Sequence, residues 1–160
     1  MDYFQNVPVH MCTTKAGMAA GTTTTLTTAN TQIFSLRGKA YSKAGASNEA
    51  TPTTDAVTGA AFLPIAAGYG SVFVICRDSS GNLNVVQGQV AALDASNKFI
   101  VAPYFPPIPD TLCPIGYITV LAGTGATTWT FGSSNLAGPP SNVVINYVDC
   151  FTLPDRLQVA

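Results

Sequence analysis

Charged residues are scarce in this chain. Asp, Glu, Lys and Arg make up 9% of its 160 residues, against about 25% in an average soluble domain, and the formal net charge is −1. Proteins that bind nucleic acid or anionic membranes carry a basic patch, which this composition does not supply. We therefore expect neither partner, and a surface formed mainly by Thr, Ser, Asn, Gln and Gly. Such a surface suits either repeated contact with other subunits or an ordinary β domain with neutral polar faces.

Side chains that carry out acid–base or nucleophilic chemistry are also few. His10 is the single histidine, so no second histidine can complete a serine triad, and no G-x-S-x-G motif occurs. Most carboxylates fall in turns, where Asp serves local hydrogen bonding. Asp149 differs because it interrupts an apolar stretch, so it either faces solvent or pairs with Arg37 or Arg77. We expect no catalytic residues and no cofactor, so the chain is predicted not to be an enzyme.

The cysteines lack the spacing of a metal site. Cys12, Cys76, Cys113 and Cys150 are far apart, with no C-x-x-C pair, so we predict no metal site. The first twelve residues show neither the basic start nor the apolar run of a secretion signal, and no stretch approaches the length of a membrane span. We therefore expect reduced thiols, with Cys76 and Cys150 buried in apolar strands.

The strongest positive signal lies in Ser71–Gln89. Val72–Cys76 is a short apolar run rich in β-branched residues, which predicts a strand covered on both faces. Asp78 and Gly81 have the residue types that open and close a hairpin loop. Leu83–Gln87 then alternates and predicts a more exposed return strand. The rest of the chain is expected to form around this hairpin.

Other segments predict further short strands. Thr22–Thr28 is threonine except for Leu26, and β-branched threonine favours a strand. Gln32–Lys43 predicts a second hairpin, in which Ile33 and Tyr41 share one face and Gly38 marks a bulge or a close backbone approach. Ala44–Gly59 is expected to be a loop. Ala60–Ile65 suits an edge strand or a packed loop, and Val90–Asn97 at most a turn or two of helix. Further strands are predicted at Lys98–Ala102, Ile115–Leu121, Thr127–Phe131 and Asn142–Leu153.

Two segments stand apart from this strand pattern. Pro103–Pro114 contains five prolines, so it should lie across the sheets, with Tyr104, Phe105, Ile108 and Leu112 packed down. Met1–Gly21 lacks periodicity and is predicted to be an extended arm. The fold class is therefore all-β, an antiparallel sandwich or jelly-roll-like domain over 22–160 preceded by an arm over 1–21.

Several blocks resemble small virion structural proteins of tailed bacteriophages, known as capsid decoration (cement) or head-fibre proteins. The blocks are Arg37–Tyr41, Val72–Val74 with Gly81 and Val85–Gly88, Ile108–Asp110 with Pro114–Tyr117, and Tyr147–Asp149 with Leu153-Pro154. The resemblance covers residues 32–156. It implies a structural role with no catalytic residues, and a place on the outer surface of the capsid after assembly in the host cytoplasm.

These observations lead us to expect an accessory capsid decoration subunit that binds the major capsid protein and itself, with a trimer favoured. Apolar residues of the arm are the predicted docking groups: Tyr3, Phe4, Val7, Val9 and Met11. Two alternatives are a tail or fibre module that binds a host glycan, and a small polysaccharide-active enzyme. Tyr69, Tyr104, Trp129 and Tyr147 have the residue types that bind sugars, although Trp129 better fits a core or an interface.

Overall fold

The computed structural model describes residues 10–154 and 157, which form eleven β-strands and no helix. The strands are β1 (Met11–Cys12), β2 (Met18–Ala20), β3 (Leu26–Thr28), β4 (Gln32–Leu36), β5 (Lys39–Lys43), β6 (Ala46–Glu49), β7 (Tyr69–Arg77), β8 (Leu83–Gln87), β9 (Ala91–Ala92), β10 (Cys113–Ala122) and β11 (Val143–Asp149). They make three antiparallel sheets, ordered β1–β4–β5, β2–β3–β6 and β11–β10–β7–β8, with β9 also paired to β7. The all-β class is confirmed, but a two-sheet sandwich or jelly roll is not established. No helix in the described part of the chain could cross a membrane.

Strand β7 is the centre of the largest sheet, as its apolar sequence predicts. Ser71–Arg77 is buried throughout, because β10 and β8 flank the strand and other segments cover both faces. The turn into β8 also has the predicted chemistry. The carboxylate of Asp78 accepts the N–H groups of Ser80 and Asn82 at 2.9 Å, and Gly81 has φ +79°. The predicted central hairpin is therefore confirmed.

One face of this sheet builds the main core around four aromatic rings. Phe73 stacks on Phe131 at 4.9 Å between centroids, and Trp129 and Phe62 meet it edge-on at 5.8 and 5.9 Å. Trp129 is fully buried, and its indole N–H donates to the carbonyl of Asn135 at 3.1 Å. The core placement of Trp129 is confirmed, so its ring is not available to stack on a sugar.

The opposite face is covered by irregular chain. Phe105, Ile108 and Leu112 pack against the β7 and β8 side chains, as the proline-rich sequence predicts. Tyr104 was predicted to pack with them but is 68% exposed. Pro114 was predicted outside the sheet but belongs to β10. The β10–β7 register shifts between Pro114 and Gly116, and such an irregularity is where a sheet accommodates a proline.

Arg77 connects the three sheets. Its side chain is fully buried at the end of β7, and its Nε donates to the Gln32 amide oxygen on β4 at 2.8 Å. Its two terminal nitrogens each donate to one oxygen of Glu49 on β6 at 2.7 Å. A single guanidinium group therefore ties one strand of each sheet to the others.

Several strand predictions were wrong because a segment becomes a strand only where a partner strand lies beside it, and that partner can be distant in the sequence. Ala44–Gly59 was predicted to be a loop, yet it contains β6, which pairs with β3 and supplies Glu49 to Arg77. Two predicted strands form only isolated bridges. Lys98–Ala102 contributes Phe99 to a bridge with Leu93, and Thr127–Phe131 contributes Trp129 to a bridge with Ile65. Val90–Asn97 holds strand β9 and turns rather than helix. The predicted strand Asn142–Leu153 is shorter than expected, because β11 ends at Asp149. The longest strand is β10, with ten residues.

The second hairpin exists, but its faces were assigned wrongly. Arg37 and Gly38 have φ +49° and +76°, which is the pattern of a two-residue type I′ turn. This turn pairs Phe34 with Tyr41 and Ile33 with Ser42. Tyr41 therefore shares the face of Phe34, with the rings stacked 5.8 Å apart, and not the face of Ile33. Gly38 serves the turn and not a bulge.

Residues 10–21 of the predicted arm pack on the body of the same chain. β1 pairs with β4 and β2 with β3, and Cys12, Ala16 and Met18 are buried in the main core. The sequence pattern did not show this because each strand has only two or three residues. The boundary at residue 21 therefore does not match the packing, and the remainder of the predicted arm, residues 1–9, lies outside the described residues.

Candidate functional site

Threonine hydroxyls fix β1 to β4. The Thr13 N–H and hydroxyl both donate to the carbonyl of Ile33, at 2.7 and 3.1 Å. The Thr14 hydroxyl donates to the carbonyl of Thr31 at 2.9 Å and accepts the Ile33 N–H at 2.9 Å. On the other side of β1, the Cys12 N–H donates to the carbonyl of Phe151 at 2.8 Å. Strand β1 and the two threonines that follow it are therefore firmly anchored.

The outer side of the β1–β4–β5 sheet presents an uncharged surface, which we call the N-terminal face. Cys12, Phe34 and Leu36 point into the core, so the alternate side chains point outward. The strand register places five residues on the face: Met11, Ile33, Ser35, Ala40 and Ser42. Ile33 and Met11 are the large apolar members, 45% and 38% exposed. The face thus has an apolar pair surrounded by small neutral groups.

An exposed ion pair lies beside the entry of the chain into this sheet. Arg37 donates from Nε and Nη2 to the two oxygens of Asp110, at 2.9 and 2.7 Å. The hydrogen bond from Arg37 lowers the pKa of Asp110, and the same bond raises the pKa of Arg37. Arg37 and Asp110 are 73 residues apart in the sequence, and the fold brings them into contact.

A second apolar surface follows β9. Ile100, Val101 and Tyr104 are 65%, 70% and 68% exposed. The four residues Val101–Tyr104 line a depression of about 120 Å³. Apolar side chains exposed this far and this close in sequence are typical of contact surfaces. This surface is separate from the N-terminal face in sequence, so single substitutions can distinguish the two.

The carboxylates of the described residues are engaged by the chain itself. Asp55 accepts the Val57, Thr58 and Gln87 N–H groups at 2.7–2.9 Å. Burial by itself would raise the pKa of Asp55, but these hydrogen bonds outweigh it and lower the pKa. Asp94 likewise accepts two backbone N–H groups within its own turn. No cluster of three His, Cys, Asp or Glu suited to a metal occurs among the residues described.

Asp149 has a role that the sequence did not reveal. It was expected to face solvent or to pair with Arg37 or Arg77. Asp149 is partly exposed, and the pairing is wrong because Arg37 binds Asp110 and Arg77 binds Glu49. The two oxygens of Asp149 accept the N–H groups of Gly17 and Met18, each at 3.1 Å. The carboxylate therefore fastens the N-terminal segment to the end of β11.

The cysteines, distant in sequence, meet near one end of the large sheet. Cys76 faces Pro114, which follows Cys113, and the Cys150 N–H donates to the carbonyl of Ile115 at 3.2 Å. All four thiols are free, and Cys76 is buried as predicted, whereas Cys150 is only partly buried. Burial raises the pKa of Cys113 and of Cys150 to about 12, and the pKa of Cys76 is raised as well. These thiols are therefore protonated and weakly nucleophilic near neutral pH.

The predicted docking residues fall into two groups. Met11 lies on the N-terminal face, while Tyr3, Phe4, Val7 and Val9 lie outside the described residues. Sequence reasoning missed Ile33 as a surface group, although its alternation with the apolar Phe34 was the available signal. Among the tyrosines considered for sugar binding, Tyr69 and Tyr104 are exposed and Tyr147 is partly buried.

Comparison of the chain with protein-family models, with curated proteins and with solved structures gave no match.

Proposed function

We propose that this protein is an accessory decoration subunit of a tailed-phage head, and that it docks on the major capsid protein through the N-terminal face and residues 1–9. The observation that carries the proposal is the position of the uncharged face. Met11 is exposed at the start of the anchored β1 strand, and Ile33 is exposed on the neighbouring strand β4. The apolar residues Tyr3, Phe4, Val7 and Val9 precede that strand directly.

The physical basis is the low cost of covering such a face. Removing an ion from water costs several kcal/mol, and the N-terminal face has no charged side chain among its five members. The Arg37–Asp110 pair lies at its margin, where partly hydrated charges are common in interfaces. A subunit repeated over a shell needs only modest affinity for each contact, because neighbouring attachments reinforce one another.

The proposal is tested by adding purified protein to phage heads that lack it, and measuring co-sedimentation and occupancy by electron microscopy. Wild-type protein should bind at saturating, regular positions. Ile33→Lys should weaken binding strongly, because it places a charge at the centre of the face. Val101→Lys, a matched substitution on the second apolar surface, should bind as wild type does.

Deletion of residues 1–9 should also weaken binding, and a thermal melt of the truncated protein verifies that the body is folded. A deletion of 1–20, in contrast, would remove the buried Cys12, Ala16 and Met18 and destabilise the body. Failure of the wild-type protein to bind any head would contradict the decoration function. Binding lost in Val101→Lys and kept in Ile33→Lys would instead move the docking site to the second surface.

A further inference from the structure

Strand β11 forms the outer edge of the large sheet, and its pairing with β10 is regular over all seven residues. The hydrogen bonds at its two ends show which residues point inward. The Gly123 N–H donates to Asn142 and the Cys150 N–H donates to Ile115, at 2.8 and 3.2 Å. In an antiparallel ladder every second residue of a strand directs both its N–H and its C=O toward one neighbouring strand, and the residues between them direct these groups to the opposite side. The N–H and C=O groups of Ile145 and Tyr147 therefore point away from β10.

Both ends of this edge are occupied, but its centre is not. At one end Phe151 accepts the Cys12 N–H and Asp149 binds the N-terminal segment. At the other end the Val143 N–H donates to the carbonyl of Pro140 at 3.1 Å. Within the described residues, no hydrogen bond reaches the outward groups of Ile145 and Tyr147. The middle of β11 therefore offers two donors and two acceptors.

Two other edge strands, β8 and β5, are protected. Along β8, the Ala56 N–H donates to Val85 at 2.9 Å, and the Gln87 N–H donates to Asp55 at 2.7 Å. The edge strand β5 carries a lysine at each end. Covering segments and edge lysines are devices that prevent strand-to-strand association. Residues Val143–Val148 have no such device, since they include no charge, no proline and no bulge.

We propose that the centre of β11 pairs with β11 of a second copy of this chain, antiparallel, about a two-fold axis at Ile145. In this register Ile145 faces its own copy, and both its N–H and its C=O are satisfied. Val144 then lies opposite the second copy's Asn146. Val143 lies opposite the second copy's Tyr147, and its N–H exchanges the Pro140 carbonyl for the Tyr147 carbonyl of that copy. No like charges oppose each other, so the edge is self-complementary.

A second copy of β11 fits this edge because Val143–Val148 carries no charge, so two copies can lie side by side without electrostatic repulsion. Val144 and Asn146 are exposed, and Val144 is 51% exposed, so their side chains are accessible to a cross-strand neighbour. The pairing joins two five-stranded sheets into one continuous sheet and gives a dimer, in place of the trimer that the sequence led us to expect. It does not depend on the capsid proposal, since it concerns the protein in solution.

The experiment measures the dimer dissociation constant of the full chain by sedimentation equilibrium over a dilution series. Two double variants change the same exposed positions. Val144→Lys with Asn146→Lys places two lysine pairs opposite each other across the axis. Val144→Lys with Asn146→Asp places two Lys–Asp pairs there. Both variants lose the Asn146 bond to the Thr119 hydroxyl, so this loss is matched.

We expect a wild-type mass of twice one chain, retention of the dimer in the Lys/Asp variant, and at least about tenfold weaker association in the Lys/Lys variant. Ile145→Pro should also dissociate the dimer, because it removes an outward N–H, while Ile145→Ala keeps that N–H and the dimer. Circular dichroism melts verify that each variant is folded. A monomeric or trimeric wild type, or equal association of the Lys/Lys and Lys/Asp variants, would overturn the proposal.

Discussion

Among the residues that the structure describes, two arginine–carboxylate pairs have nearly the same geometry and very different surroundings. Arg77 binds both oxygens of Glu49 at 2.7 Å, and Arg37 binds both oxygens of Asp110 at 2.7 and 2.9 Å. The Arg77 side chain is 0% exposed, whereas the Arg37 side chain is 60% exposed. In water an ion pair competes with hydration, but a buried charge has no alternative partner. We therefore expect burial, and not hydrogen-bond length, to decide how much stability is lost when one partner of such a pair is removed.

The largest effect should come from removing the buried cation. Arg77→Met should cost about 3–5 kcal/mol of unfolding free energy, because Glu49 loses its cation and Gln32 loses a donor. Urea denaturation measures this cost, and Arg37→Met is the matched control, which should leave the midpoint nearly unchanged. Equal losses in the two variants would show that burial does not distinguish the pairs.

A smaller effect is expected from neutralising the buried pair's acid. Glu49→Gln keeps an acceptor for Arg77 but removes the charge, so we expect a loss of about 2–3 kcal/mol. Asp110→Asn is the matched change in the exposed pair and should have little effect on the melt. The double variant Arg77→Met, Glu49→Gln should cost less than the two single losses added together. Strict additivity would mean that the two side chains are not energetically coupled.

The smallest stability effect should follow Arg37→Ala, yet that variant gives a clear electrostatic signal. Arg37 lowers the pKa of Asp110 below the ordinary value of 3.8, so the pKa should return toward 3.8 in the variant. A lowered folded-state pKa adds stability above the unfolded-state pKa, and this contribution is lost as the pH falls through the folded-state value. An NMR titration of Asp110 measures the change. An unaltered Asp110 pKa would show that the pair does not form in solution.

Sequence patterns succeeded where a residue's environment depends on its close neighbours in the chain. The apolar run of β7, the Asp78 turn and the core position of Trp129 were all predicted correctly. Local patterns failed for β6 and for β1 and β2, which are short and lack apolar alternation. These strands form because distant groups bind them: Arg77 binds Glu49, and Asp149 binds Gly17 and Met18. Of the candidate surface, only Met11 was identified from the sequence.

The β class, the central hairpin and the low content of charge follow from the amino-acid sequence alone, because strand propensity and turn chemistry act over a few residues and composition is independent of fold. The folded structure was needed to learn which carboxylate each arginine binds, where the N-terminal segment packs, and which strand edge has no partner among the described residues. These outcomes depend on contacts between residues far apart in sequence. Glu49 and Arg77 lie on different sheets, and Asp149 meets Gly17 from the other end of the chain. Such contacts form only when the sheets assemble, so no local pattern encodes them.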